Sequence, residues 1–127
     1  MAQFEKHFTL EEANALLPEV RALLEQVKEH RDHLIVDFHE AQPVLKQAKQ
    51  NGGGHEAHSY LTDVARLNES MERLIGLGVQ LKDIDRGLVD FPAWREGQEV
   101  LLCWHLGEDE IRFWHDLESG YPGRQPL

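Results

Sequence analysis

The sequence predicts an α+β fold in which a long antiparallel helical hairpin is followed by a small C-terminal antiparallel β-meander, all within one domain spanning 1–127. Two observations support this prediction. Apolar residues recur at helical intervals on both sides of a three-glycine stretch at 52–54. Beyond residue 82 the pattern changes to short β-branched and aromatic runs separated by Gly, Pro and acidic residues, which is typical of strands and turns.

The first helix is predicted over 9–50. Thr9 and Glu12 have the spacing of a capping box, in which each side chain accepts a hydrogen bond from the other residue's amide. The helix ends at Asn51 and the glycines, the strongest break in the chain, so 51–55 is predicted to be a loop.

A second helix is predicted over 56–82, although Gly76 and Gly78 weaken its last turns by up to about 1 kcal/mol each. Two such helices joined by a short loop form an αα-hairpin. A lone hairpin leaves the half far from the sheet uncovered, so we expect a homodimer to cover it. The periodic apolar positions of this helix are Ala57, Leu61, Val64, Leu67, Met71, Leu74, Ile75 and Val79.

The meander is predicted over 87–117. Its strand-like runs are 87–91, 100–104 and 111–115, with turns at 95–97 and 107–109. The first run stops before Pro92, which lacks the amide that a central strand needs. The tail, 118–127, is predicted to be irregular because it is rich in Gly and Pro.

Composition excludes several classes of function. The formal charge is -10, from 23 acidic and 13 basic residues, which disfavours binding to nucleic acid and to anionic membranes. No apolar run approaches the roughly 18 residues of a membrane helix. The single Cys excludes an internal disulfide and fits a reducing compartment. With no signal peptide evident at the N-terminus, a cytoplasmic protein is expected.

The principal candidate site is Cys103 with His115. If the turn brings matching strand faces together, these side chains lie on the same side of the sheet, whereas a shift of one residue separates them. Thiolate and imidazole are ligands suited to zinc or iron. Glu110, Asp116 or Asp90 would complete the ligand set.

The same pair has two other interpretations. Cys103 and His115 also have the chemistry of a nucleophile and its base, so an enzyme remains open. Alternatively, both are core residues, because Cys packs as a small hydrophobe and a buried His finds a hydrogen-bond partner. No Cys-x-x-Cys zinc signature is present.

Three weaker candidates lie elsewhere, and each also has a structural explanation: solvated surface for the histidines and the helix 1 stripe, and a cap of the Gly87 turn for Asp85. The spacing of His55 and His58 would allow metal chelation once helical, so His55 is kept as a candidate ligand. Asp83 and Asp85 lack the Gly and Glu of a calcium loop. A polar stripe on the first helix would meet Glu69 or Glu72 across the hairpin, as in bundle metal sites; it consists of His30, His33, Asp37 and Glu40.

Four segments resemble a small bacterial family, domain of unknown function 2203. They are FTLEEANALLP (8–18), LKDIDRGLVDFPA (81–93), VLLCWHLGEDEI (100–111) and FWHDLESGYPGRQPL (113–127). The resemblance implies a role shared by the C-terminal residues and not by the helix 1 histidines, and it implies no activity. Its pattern includes Asp83, Asp85, Asp90, Cys103, Trp104, Glu110, His115 and the Gly-Arg-Gln-Pro tail, and the loop before His55 is similar.

Two functional hypotheses follow. The first is a metal-binding protein whose site lies in the C-terminal sheet. The second is a dimeric hairpin scaffold that recruits a protein partner and uses neither metal nor catalysis. The second requires an exposed apolar patch around Trp94, Trp104 or Trp114.

Overall fold

The computed structural model describes the backbone of residues 2–51 and 55–127, and their side chains except those of 40–51 and 55–57. Helix α1 spans Leu10–Asn51 and α2 spans His55–Gly76. Five strands follow, β1 Gln80–Asp83, β2 Leu88–Arg95, β3 Gln98–His105, β4 Phe113–His115 and β5 Gln125–Pro126. All neighbours are antiparallel and in chain order, so the predicted α+β fold of hairpin and meander is confirmed.

The capping box starts α1 as predicted. The Thr9 amide donates to Glu12 Oε1 at 2.9 Å, and the Glu12 amide donates to Thr9 Oγ1 at 3.0 Å. The two helices run antiparallel, because Ser70 bonds back to Gln26 near the sheet while Phe38 meets Tyr60 further out. The predicted 51–55 loop lies mostly outside the described residues, and α2 already includes His55.

The prediction that the second helix continues to 82 is wrong. It ends at Gly76, and Gln80–Asp83 forms an edge strand paired with β2. The Gly78 amide donates to the Ile75 carbonyl, and Gly78 has a φ of 95°, the left-handed conformation that ends helices. The helical spacing of apolar residues continues to Val79, but pairing of Gln80–Asp83 with β2 determines the structure there.

Strand β2 runs through Pro92 to Arg95, further than predicted. The Pro92 carbonyl accepts from the Phe8 amide at 2.7 Å, on the side where β1 has already ended. The missing N–H of proline faces the same side, so no strand hydrogen bond is lost. Glu96 and Gly97 then form the β2–β3 turn with φ values of 52° and 80°, as a two-residue hairpin with positive φ requires.

The prediction that the tail is irregular throughout is wrong. Tyr121–Gly123 forms a 3₁₀ turn and Gln125–Pro126 adds a fifth strand against β4. The tail pairs there because β4 would otherwise present an open edge. The meander therefore extends from Gln80 to Pro126, beyond the predicted 87–117.

The two faces of the sheet have different surroundings because side chains alternate along each strand. One face packs on the helices and forms the apolar core, with Trp104 fully buried among its members. The tail crosses the other face. The core combines Val89, Phe91, Ala93, Val100 and Leu102 of the sheet with Ala13, Leu17, Val20, Leu24 and Leu74 of the helices.

Candidate metal centre

Three neighbouring strands place Asp90, Cys103 and His115 on the sheet face turned away from the helices. Asp90 in β2 lies directly opposite Cys103 in β3. His115 in β4 lies opposite Leu101, two residues before Cys103, and therefore shares its face. This register places the sulfur and the imidazole on the same side of the sheet, the arrangement on which the candidate site depended.

These side chains form a compact and buried cluster. A carboxylate oxygen of Asp90, Sγ of Cys103 and a ring nitrogen of His115 all lie within 4.8 Å of one another. The three residues are 2%, 0% and 2% exposed. Polar groups are this deeply buried only when they are paired or bound to an ion. The cluster is the one group of potential metal ligands among the described side chains.

Both ring nitrogens of His115 are engaged. Nδ1 lies 2.6 Å from the Asp116 backbone carbonyl, and Nε2 lies 3.0 Å from Asp90 Oδ2. A carbonyl oxygen only accepts hydrogen bonds, so Nδ1 carries a hydrogen and donates it. In the neutral ring, the Nε2 lone pair then points at the Asp90 carboxylate. Such a contact between two acceptors requires a proton or a metal ion between them.

Asp90 is only partly satisfied. Its Oδ2 faces His115, but its Oδ1 is buried and has no hydrogen-bond partner in the described part of the chain. An unpaired buried carboxylate oxygen costs free energy, because it has lost its water without gaining a donor. A cation at the cluster would remove that cost.

Burial and, after it, the neighbouring Asp90 carboxylate raise the pKa of the Cys103 thiol to about 12, while the Arg124 guanidinium opposes the shift. The free thiol is therefore protonated near neutral pH. With both nitrogens of His115 occupied, the imidazole is not free to accept its proton, which disfavours the predicted pair of Cys103 nucleophile and His115 base. A bound metal ion would remove the proton, because a coordinating thiol is deprotonated.

The C-terminal tail is clamped onto this face by Arg124. Its Nη2 lies 2.8 Å from both carboxylate oxygens of Glu108 and donates to the Cys103 carbonyl at 3.4 Å. The guanidinium also stacks over the rings of Phe113 and Tyr121, at 4.1 and 4.8 Å. These contacts hold the tail next to the cluster.

A cavity of about 310 Å³ lies between the sheet and the tail and reaches the cluster. Asp90 and His115 form part of its wall, whereas the completely buried Cys103 does not. The other lining residues are Lys82, Leu88 and Leu101 from the sheet and Leu117, Glu118, Gly120 and Tyr121 from the tail.

The other predicted ligands are not brought into this cluster. Glu110 is exposed and pairs with Arg112 at 3.2 Å. The Asp116 carboxylate accepts from the amides of Glu118 and Ser119, so Asp116 contacts the cluster only through its backbone carbonyl. The side chain of His55 lies outside the described residues.

The weaker candidates have mainly structural surroundings. Asp83 accepts from the Arg86 amide within its turn, and Asp85 pairs with Arg31 at 2.6 Å. His33 and His58 are exposed, and His30 is half-buried. Within the described side chains, the helix 1 stripe forms no group of metal ligands with α2; Glu40 lies outside them.

Sequence reasoning missed Lys82 and Tyr121, which line the cavity, and Arg124, which clamps the tail. Lys82 was assigned to the end of a helix, and the tail to an irregular segment. The Gly-Arg-Gln-Pro stretch was the only sequence feature that pointed to a role for Arg124. It did so because it belongs to the family pattern, and its chemistry alone predicts no contact with the cluster.

The fold and the cluster define a class of protein: an α+β chain whose helical hairpin supports an antiparallel sheet with a buried Asp/Cys/His group. The chain belongs to the DUF2203 family, described as "Uncharacterized conserved protein (DUF2203)", which matches residues 6–127 and confirms the resemblance. Comparisons with curated proteins and with solved structures find no significant match. Neither helix, over its described residues, combines the length and apolar character needed to cross a membrane.

Proposed function

We propose that this protein binds one transition-metal ion through Asp90, Cys103 and His115. The observation that carries the proposal is the contact between His115 Nε2 and Asp90 Oδ2 at 3.0 Å, with Nδ1 already used by a carbonyl. Two ligands about 2.0–2.1 Å from a tetrahedral zinc ion lie roughly 3.3 Å apart, so the observed separation suits coordination.

A proton between these atoms is the competing explanation, and it would make either a neutral carboxylic acid that donates to Nε2 or a buried imidazolium–carboxylate ion pair. The ion pair has a large desolvation cost, whereas the neutral pair does not. The proton would also leave Asp90 Oδ1 without a close hydrogen-bond partner, and Cys103 would serve only as a thiol that donates weakly to the Asp90 carboxyl group. A metal ion uses all three side chains. The backbone carbonyl on Nδ1 is the usual outer partner of a metal-bound histidine.

Zinc suits the donor set best, because it accepts sulfur, nitrogen and oxygen ligands in a tetrahedral site. Iron is the alternative, since a His and a carboxylate are also iron ligands. Element analysis of protein purified without added metal distinguishes them. We expect close to one ion per chain, and its loss in Asp90→Asn, Cys103→Ser and His115→Ala.

Matched controls are His58→Ala and Glu110→Gln, which remove an exposed histidine and an exposed carboxylate outside the cluster. Both should retain the metal. Circular dichroism on every variant separates loss of metal from loss of fold. Wild-type protein without metal, both as purified and after soaking in zinc or iron(II), would overturn the proposal.

A second candidate function is a dimeric scaffold, favoured by aliphatic side chains on the hairpin. Ile35, Val36 and Leu61 are 49%, 55% and 62% exposed. The scaffold hypothesis also requires at least one exposed tryptophan. Trp94 is half-exposed and meets this requirement. Sedimentation analysis of wild type and Val36→Glu tests this function; a wild-type monomer would argue against it.

A further inference from the structure

We infer that the metal ion keeps one coordination position open to the cavity, and that this position binds a small monocarboxylate whose charge is also attracted by Lys82. The inference rests on the proposed metal site and specifies its ligand. Three features of the molecule support it: the number of protein ligands, the position of the cavity and the chemistry of its walls.

The protein ligand set is incomplete. Structural zinc sites take four ligands from the protein, whereas sites that bind exchangeable ligands take three and leave one position for water or substrate. Among the side chains that the structure describes, only Asp90, Cys103 and His115 join the group. A fourth ligand therefore comes from outside this set.

The cavity provides access to the fourth position. Asp90 and His115 line it, and Cys103 lies behind them with no exposed surface. An ion held by all three is therefore approached from the side of the carboxylate and the imidazole. A volume of about 310 Å³ is near the lower limit of ligand pockets, roughly 300–1,000 Å³, so the occupant is a molecule of few heavy atoms.

The walls select the kind of occupant. Leu88, Leu101 and Leu117 make much of the surface apolar, which favours a short hydrocarbon chain. The anionic Asp90 and Cys103 ligands neutralise a divalent ion, so the positive charge of Lys82 provides attraction for an anion. Glu118 also lines the cavity, so it offsets part of the attraction of Lys82 and disfavours a second carboxylate on the ligand.

Cobalt(II) in place of the native metal allows the test, because its visible absorption changes when a ligand enters the coordination sphere. Cobalt-loaded protein is titrated with acetate, butyrate and succinate. We expect saturable spectral changes, with butyrate binding more tightly than acetate because of the apolar wall, and more tightly than succinate because of Glu118.

Lys82→Met should weaken butyrate binding about tenfold, the size of one charge-assisted contact, without changing the cobalt stoichiometry. Lys6→Met is the matched control, since Lys6 lines a neighbouring groove that Lys82 also borders but does not line this cavity. It should leave butyrate affinity unchanged.

The outcomes separate the two proposals. Cobalt that binds with a spectrum unaffected by any carboxylate overturns the open position and leaves the metal site standing. Succinate binding more tightly than butyrate, or equal losses in the two lysine variants, overturns the assigned ligand class. Failure to bind cobalt, together with the absence of zinc and iron, removes both proposals.

Discussion

Replacing Cys103 by Ala should abolish the stabilisation that metal gives to the fold. A ligand present at about 100 times its Kd and bound only to the folded state adds about 2.7 kcal/mol to the free energy of unfolding. For a chain of 127 residues, each kcal/mol shifts Tm by roughly 3–5 °C. Chelation of wild-type protein should therefore lower Tm by roughly 8–13 °C.

In Cys103→Ala the same chelator should have no effect. The substitution also removes a completely buried sulfur from the sheet, at a cost of about 1 kcal/mol that is independent of metal. Without metal, the two proteins should thus differ by only a few degrees.

Differential scanning calorimetry with and without chelator measures all four values. Restoring zinc to the chelated wild type is the control for reversibility. An equal chelator effect in both proteins, or none in the wild type, would show that the sulfur does not hold a metal.

Four further predictions concern the frame around the site. Gly78→Ala should destabilise the protein by about 1–2 kcal/mol in urea unfolding, because φ is 95° and a Cβ there would lie 2.9 Å from Lys6 Cδ; Gly76→Ala, with open space around it, should not. Thr9→Ala should cost about 1 kcal/mol by the same measurement. Hydrogen bonds from Thr9 lower the pKa of Glu12 in the folded protein. The Glu12 carboxylate therefore contributes to the free energy of unfolding above the pKa of the unfolded state, and this contribution is lost as pH falls through the folded pKa. A Glu12→Gln variant whose stability follows the wild-type pH profile would contradict this. Glu99→Gln should release the N-terminal segment, because the Glu99 carboxylate accepts from the amides of residues 3 and 4 and contacts His7 Nε2 at 2.6 Å. We expect faster amide hydrogen exchange that is confined to residues 3–7. Unchanged exchange in these residues would disprove this prediction.

The metal proposal and the tail are physically connected. Arg124 contacts both the Cys103 carbonyl and Glu108, and Tyr121 stacks against Arg124 while lining the cavity. The guanidinium carbon of Arg86 also lies over that ring, 4.0 Å from its centroid. The tail therefore forms one wall of the cavity and is held by cation–π and charge-assisted contacts.

Much of the fold could be predicted because local chemistry and tertiary packing agree there. The start of α1 follows from the reciprocal bonds of Thr9 and Glu12, which need no distant partner. The β2–β3 turn at Glu96 and Gly97 follows similarly from the positive φ that glycine readily adopts. Where they disagree, at Gln80–Asp83, pairing with β2 prevails over helical periodicity.

The amino-acid pattern was enough to establish the helical hairpin, the sheet after it and the choice of Cys103 and His115 as candidate ligands. Only the folded chain decided which carboxylate joins them. Asp90 is 13 residues from Cys103 and Glu110 is seven, yet strand pairing puts Asp90 opposite the sulfur and leaves Glu110 on the surface. The physical reason is that strand register depends on hydrogen bonds and packing between segments distant in sequence, and a shift of one residue would turn every side chain to the opposite face.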